Sequence, residues 1–444
     1  MITAPICEFV RRYRYSGALR MHMPGHKGTA LLGPEPLDLT EIEGADVLYH
    51  AEGIIRESEA NAAALFGTKK TVYSAEGSSL CIRAMLYLAL LHARANHKKP
   101  VIAAGRNAHK VFMTAAALLD LDIRWIYGTE SVISCAITPA QLEDVIVSEN
   151  PAAVYITSPD YLGNIADIKS LSTVCKKHGV LLLVDNAHGA YLHFLPEPMH
   201  PMQLGADICC DSAHKTLPVL TGGAYLHIAH GTPDMFAQRA ESAMALFAST
   251  SPSYLILQSL DAMNPLLATS FPAQLKACAE RLDTLKAKLR AHGYALCGEE
   301  RTKLCLLPKS FGYTGTALAE ILTHHNIYCE FSDADHLVMM FTPETTSADF
   351  ARLERALLSV LPASAILSKP PVPPHAERVL SPREALFSPS ETLPLSECEN
   401  RILADANVSC PPAVPLAVCG ERLTPEVISA MEYYGTEHCT VVVE

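Results

Sequence analysis

Residues 180–215 read VLLLVDNAHGAYLHFLPEPMHPMQLGADICCDSAHK, and their pattern decides the fold class. One continuous apolar run, Val180 to Val184, ends in Asp185. A second, Ala206 to Cys210, ends in Asp211-Ser212-Ala213-His214-Lys215. Runs this short, bounded by Gly179 and Gly205, read as buried parallel strands. Ligands of open α/β sheets sit beyond the carboxyl ends of such strands, so Asp185 and Lys215 should face one crevice. A lysine amine can condense with an aldehyde, and a nearby carboxylate can pair with a pyridinium nitrogen, which together suit pyridoxal phosphate. From these two residues alone, a buried ion pair between strand ends is the alternative.

Working outward, the same strand-to-polar-loop pattern recurs. Thr71-Val72-Tyr73 reads as a strand that breaks into Ser74-Ala75-Glu76-Gly77-Ser78-Ser79 before a helix. The free N–H groups of a helix start and the hydroxyls of Ser78 and Ser79 can bind an anion, although an ordinary serine cap fits the same residues. The run Val101 to Ala104 ends in Gly105-Arg106-Asn107-Ala108-His109-Lys110, which puts His109 at a strand-to-helix switch. There it could stack on a planar ring or stand in water at a helix start. Residues 152–158 form the next strand, Pro159 to Gly163 a turn, and 168–178 a helix. Gly222 to Ile228 is the strand after Lys215. Alternation of this kind predicts a mostly parallel, helix-covered sheet.

The flanks read differently. Residues 1–50 hold few periodic apolar positions and form an arm that ends in a polar, turn-rich loop, His22 to Gly28. Beyond residue 263, strands at 303–307 and 335–342 around a helix at 315–325 suggest a smaller βαβ-like domain to residue 361. A Pro-rich linker, 362–376, precedes a C-terminal segment, 377–444. Residues 51–263 are then the large domain. The chain of 444 residues is too long for one core, and 49% hydrophobic with 18% charged residues fits a compact enzyme. A net charge of −12 without a basic block argues against nucleic acid as a partner. No apolar run reaches the ~18 residues that span a bilayer. The first residues lack a signal peptide's apolar stretch. The 14 cysteines show no C-x-x-C spacing, so no metal site is expected; free thiols in a reducing cytoplasm are the simplest account.

Taken together, HMPGHKG (22–28), EGIIRESE (52–59), GRNAHK (105–110), SPDYLGNIADI (158–168), VDNAHGA (184–190), DSAHKTLP (211–218), STSPSY (249–254) and the PPAVP and GERL pieces (411–415 and 420–423) resemble the Orn/Lys/Arg decarboxylase family. The resemblance runs over nearly the whole chain and is to the shorter members without an N-terminal wing domain. It implies an α/β fold of the aspartate-aminotransferase type (fold type I), with a seven-stranded, mostly parallel sheet. The implied activity is pyridoxal phosphate-dependent decarboxylation of lysine, arginine or ornithine, feeding polyamine synthesis, by a cytoplasmic homodimer or larger homo-oligomer.

Residue by residue, the resemblance implies that Lys215 carries the cofactor and Asp185 pairs with its ring nitrogen. His109 stacks on the ring, Ala187 lies under it and His188 near its edge. Gly77, Ser78, Ser79, Ser212 and His214 surround the phosphate. Ser249 and Thr250 match a segment that approaches the neighbouring subunit's phosphate. Lys215 or His214 is the expected proton donor. Glu330, Asp333 and Tyr161 are candidates for holding the substrate's distal cation, with a solvated loop as the alternative for the two acids. The chain departs from the pattern at Asn186, where many relatives have Glu, at Tyr191, in its GSSL loop, and at Ala413. Two other readings stay open: another fold-type-I activity, such as an aminotransferase or desulfurase, and a non-catalytic regulatory relative.

Overall fold

A computed structural model describes residues 2–128, 136–371, 375–410 and 414–443; Ala413 lies outside them. The chain divides into two compact units, Met1–Lys98 with Ile168–Leu275, and Lys99–Asp167 with Lys276–Glu444.

Seven α/β-type strands alternate with helices: β1 (Lys70–Ser74), β2 (Val101–Gly105), β3 (Asp122–Ile126), β4 (Ala153–Thr157), β5 (Leu181–Asp185), β6 (Ile208–Asp211) and β7 (Ala224–Ile228). The first unit holds β1, β7, β6 and β5, in that lateral order. The runs that end in Asp185 and Asp211 are indeed parallel neighbours, with Asp185 opposite Cys210. They are buried along their whole length, which is why they read as continuous apolar stretches. β7 runs antiparallel to β6, with Asp211 opposite Tyr225. β1 runs antiparallel to β7, with Ser74 opposite Ala224. Two reversals make β1 parallel to β6, so β1, β5 and β6 all end at one edge. The loops that follow them carry Gly77–Ser79, Asn186–His188 and Ser212–Lys215.

The N-terminal residues are more ordered than their sparse apolar pattern suggests. Helix Pro5–Arg14 fully buries Ile6 and Val10, and the Cys7 N–H donates to Asp261 Oδ2 at 2.9 Å. Pro5, Ile6 and Val10 suffice when a preformed neighbour supplies the rest of the core.

In the second unit β2 is parallel to both β3 and β4, so the loops that carry Arg106–His109 and Ser158–Tyr161 also leave from one edge. The strand β3, DIRWI, is buried only at Ile123 and Ile126 and escaped the apolar-run reading. A second sheet consists of β8 (Ala295–Cys297), β9 (Lys303–Leu307), β10 (Phe331–Ser332) and β11 (Leu337–Met340), in the order β10-β11-β9-β8. Its pairings are antiparallel, which corrects the expected βαβ-like block. The β10–β11 reversal turns the chain around after helix Gly315–His324, so β11 meets β9 head to tail. The C-terminal segment adds β12 (Ser390–Pro394) paired with β15 (His438–Val442), and β13 (Asn407–Cys410) paired with β14 (Val414–Val418). Its Leu403, Leu416, Leu423 and Met431 share a core with Cys305 and Val338. Among the described residues no helix is long and apolar enough to cross a membrane.

Candidate active site

In the first unit the three loops converge through hydrogen bonds. Helix Gly77–Ala95 starts after Glu76, which makes no side-chain cap. Gly77 adopts φ +72°, and its N–H donates to the Gly222 carbonyl at 2.7 Å. Gly222 itself sits at φ +100°, where a Cβ would meet the Ala75 carbonyl oxygen at 2.8 Å. That close approach explains the Gly222-Gly223 pair: it lets the start of β7 lie against the turn after β1. Ser212 Oγ donates to Ser78 Oγ at 2.7 Å, joining the loop after β6 to the helix start. Ser79 lies half-buried in the same helical turn.

Asp185 is 2% exposed, and its Oδ1 accepts from the Ala187 N–H at 3.2 Å. Lys215, on a single helical turn, Ala213–Thr216, places Nζ 3.1 Å from His188 Nε2. His214 Nδ1 donates to the Gly223 carbonyl at 3.0 Å. Burial holds its pKa below the ordinary histidine value, with the nearby Lys215 adding to the effect.

A buried carboxylate ties the strand ends together. Asp211 Oδ2 accepts from His200 Nε2 (2.9 Å) and His227 Nε2 (3.2 Å), and Oδ1 accepts from Asn186 Nδ2 (2.7 Å). His200 Nδ1 takes the Met202 N–H, so its proton sits on Nε2 and faces the carboxylate. Burial disfavours the charge of Asp211, but these donors outweigh it and hold its pKa far below the usual carboxylate range. Asn186, a departure from the family pattern, is thus the amide partner of an acid. Nothing in a local reading links Asp211 to His200 or His227. The search for C-x-x-C spacing could not see this cluster, in which Cys209 Sγ also donates to Asp211 Oδ1 at 3.5 Å.

Ser249 and Thr250 are exposed, and the Ser249 N–H donates to Glu76 Oε1 at 2.8 Å. Thr250 borders a cavity of ≈ 440 Å³ shared with Met23, Pro24 and Tyr254.

In the second unit His109 is the N-cap of helix Lys110–Leu119, its Nδ1 accepting the Val111 N–H at 3.2 Å. Tyr161 donates its hydroxyl to Glu330 Oε1 at 2.7 Å, which unites two of the three substrate candidates. Burial, and then Glu330, raise the Tyr161 pKa well above the ordinary phenol value. Asp333 is 6% exposed, and its Oδ1 accepts from the N–H groups of Asp335 and His336 at 2.7 and 2.6 Å. It is neither solvated nor turned away from its own loop.

The residues of the first unit fit pyridoxal phosphate. An uncapped helix start with two facing serine hydroxyls suits a phosphate. A buried strand-end carboxylate and a lysine on the next loop suit the ring nitrogen and the aldehyde.

Residues 4–296 match the family model described as Orn/Lys/Arg decarboxylase, major domain. The chain belongs to the Orn/Lys/Arg decarboxylase family. Among curated proteins this decarboxylase is 31% identical to an arginine decarboxylase of Bacillus subtilis, over 96% of its own chain and 92% of that protein. It is 28% identical to an arginine decarboxylase of Halalkalibacterium halodurans, over 95% and 91%. The constitutive lysine decarboxylase of E. coli superposes with a TM-score of 0.79 at 17% identity, over 99% of this chain and 82% of that one. An alanine–glyoxylate aminotransferase of Nostoc sp. superposes less closely, with a TM-score of 0.54. The fold is therefore the α/β fold expected from the strand-end pattern, the enzyme is an amino acid decarboxylase, and its cofactor is pyridoxal phosphate.

Proposed function

We propose that this decarboxylase removes the α-carboxyl group of arginine as carbon dioxide and releases agmatine for polyamine synthesis. The observation that carries the choice of substrate is its likeness, over more than nine-tenths of the chain, to arginine decarboxylases. Lysine and ornithine are the competing substrates, and the lysine decarboxylases share its fold.

The roles follow from the geometry and the resemblance. Lys215 would hold the cofactor through Nζ. Asp185 would pair with the ring nitrogen, where its negative charge would favour a bound proton. By the resemblance, His109 and Ala187 would be the residues that pack on the ring. The turn at Gly77 and the N–H groups that follow it, with Ser78, Ser79, Ser212 and His214, would bind the phosphate. When bound, pyridoxal phosphate supplies the sink for the electron pair left as the carboxyl group departs. Lys215 returns a proton to Cα, and His188, within hydrogen-bond distance of Nζ, steers that amine. His214 is the weaker candidate donor, because burial lowers its pKa and disfavours its protonated form. Glu330, with the Tyr161 hydroxyl on it, would take the guanidinium, and Asp333, its carboxylate turned into its own loop, would shape that loop.

A homodimer is part of this proposal. The arm exposes Leu19, Met21, Met23, Leu31 and Leu32, a concentration of apolar surface that a second copy would cover. Amine release from arginine, lysine and ornithine, measured side by side on the purified enzyme, tests the reading. Agmatine should form fastest. Preferential release of cadaverine or putrescine would replace arginine as the substrate, and no amine from any of the three would remove the function.

A further inference from the structure

The C-terminal segment reaches back to the loop that presents His109. Arg106, three residues before it, is 8% exposed, and Glu421 is 1% exposed. Their contact is two-pronged: Nη1 donates to Oε1 at 2.9 Å and Nη2 to Oε2 at 2.7 Å. The guanidinium also lies over the rings of Trp125 (4.9 Å to the centroid) and Tyr127 (5.8 Å). Glu421 cannot drift, because its Oε2 accepts the Val418 N–H at 2.9 Å and its own backbone carbonyl accepts the Leu403 N–H at 2.9 Å. Gly420 before it has φ +87°, and a Cβ there would meet the Leu380 carbonyl oxygen at 2.2 Å.

The same segment grips the far end of the helix that His109 caps. Arg383 donates to the carbonyls of Ala117 and Leu118, both at 3.2 Å. Arg378 donates to Asp122 Oδ1 at 2.7 Å, at the start of β3. Three contacts from one segment thus bracket helix Lys110–Leu119 at its entry, its end and the strand beyond. A buried arginine paired with a buried carboxylate is a costly device for an ordinary loop, since desolvation offsets much of the pairing. Its value lies in geometry: a planar fork held by two oxygens and lying against two rings is fixed in orientation.

We propose that Glu421 is a positioning residue: through Arg106 it sets the loop that aims His109. This rests on the reading of His109 as the residue that stacks on the cofactor ring. It gives the C-terminal segment a part in the reaction without contact with the reacting atoms.

The test compares Glu421→Gln with His109→Ala, both as cofactor-loaded enzymes. Trp125 is the single tryptophan of the chain, so its emission reports the Arg106 cage directly. Visible circular dichroism of the bound cofactor reports the ring's environment. In Glu421→Gln the guanidinium keeps its charge but loses its counter-charge. Trp125 emission should shift, hydrogen exchange in residues 105–110 should speed up, and the cofactor dichroism should change in the same sense as in His109→Ala. kcat should fall about ten- to hundredfold with KM nearly unchanged, and Glu421→Asp should recover part of it. If His109→Ala changes the dichroism and a folded Glu421→Gln does not, this inference is overturned while the reading of His109 stands. If His109→Ala itself changes nothing, that reading fails and takes the inference with it. Should Glu421→Gln not fold, the paired Arg106→Met, Glu421→Met variant removes both charges. It should fold, yet keep the altered dichroism; wild-type dichroism in it would be equally fatal.

Discussion

Lys215 Nζ stands 3.1 Å from His188 Nε2, two side chains from different strand-end loops of the same unit. The lysine is therefore held at a defined point above the edge where β5 and β6 end. Borohydride reduction of the loaded enzyme, followed by peptide mapping, should place the pyridoxyl label on Lys215. A label on another lysine, or none, removes the assignment. His188→Ala should leave that label in place but slow turnover by about ten- to hundredfold, as for a group that steers proton transfer.

Asp185 occupies the last position of β5 and is almost fully buried. Asp185→Asn keeps the shape and loses the charge that would hold a proton on the ring nitrogen. Turnover should nearly vanish while Lys215 still takes up the cofactor, read from the visible spectrum. Wild-type turnover in this variant would show that the carboxylate has another task.

The Ser78–Ser212 hydroxyl pair predicts a defect of cofactor affinity rather than of chemistry. Hydrogen bonds to a charged group contribute about 1.5–3 kcal/mol each. Ser78→Ala and Ser212→Ala should each weaken cofactor binding by about ten- to hundredfold, and saturating pyridoxal phosphate should restore kcat. A kcat that stays low at saturation would place these hydroxyls in the reaction itself.

Shared sites in a homodimer can be tested by mixing inactive variants. Lys215→Ala combined with a Thr250 variant that has lost activity should regain turnover, because one site of the mixed dimer receives both intact groups. A fully active monomer at assay concentration would refute the dimer.

Glu59 accepts the Tyr73 N–H at 2.8 Å in a buried position. Burial, the largest influence, pushes its pKa up to about 8. An acid whose folded pKa exceeds the unfolded value of about 4.3 binds the extra proton in the native state. Its contribution to stability is present at low pH and is lost as pH rises from about 4 through about 8. Glu59→Gln can still accept the Tyr73 N–H and has no charge to bury. Thermal unfolding across this range should fall less steeply with pH in the variant, and the variant should be the more stable protein above pH 8. Parallel curves would mean that Glu59 does not titrate in this window.

Local sequence determined a good deal of this protein. The apolar runs ending in Asp185 and Asp211 marked β5 and β6 because a strand buried on both faces must be apolar throughout. Gly77-Ser78-Ser79 marked a helix start, and His109 a cap, because backbone preferences act over a few residues. Motif order pointed to the family. Period reading failed at β3, where only Ile123 and Ile126 are buried, one on each face, and at helix Pro5–Arg14, which Pro5, Ile6 and Val10 hold in place. What only the tertiary structure decided is which distant groups meet. Arg106 finds Glu421 across 315 positions, and Tyr161 finds Glu330 across 169. Asp211 gathers His200, His227 and Asn186 from separate loops and strands. Such pairs depend on strand register and on which strand lies beside which. Those are set by the summed packing of whole elements, so no short window of sequence carries them.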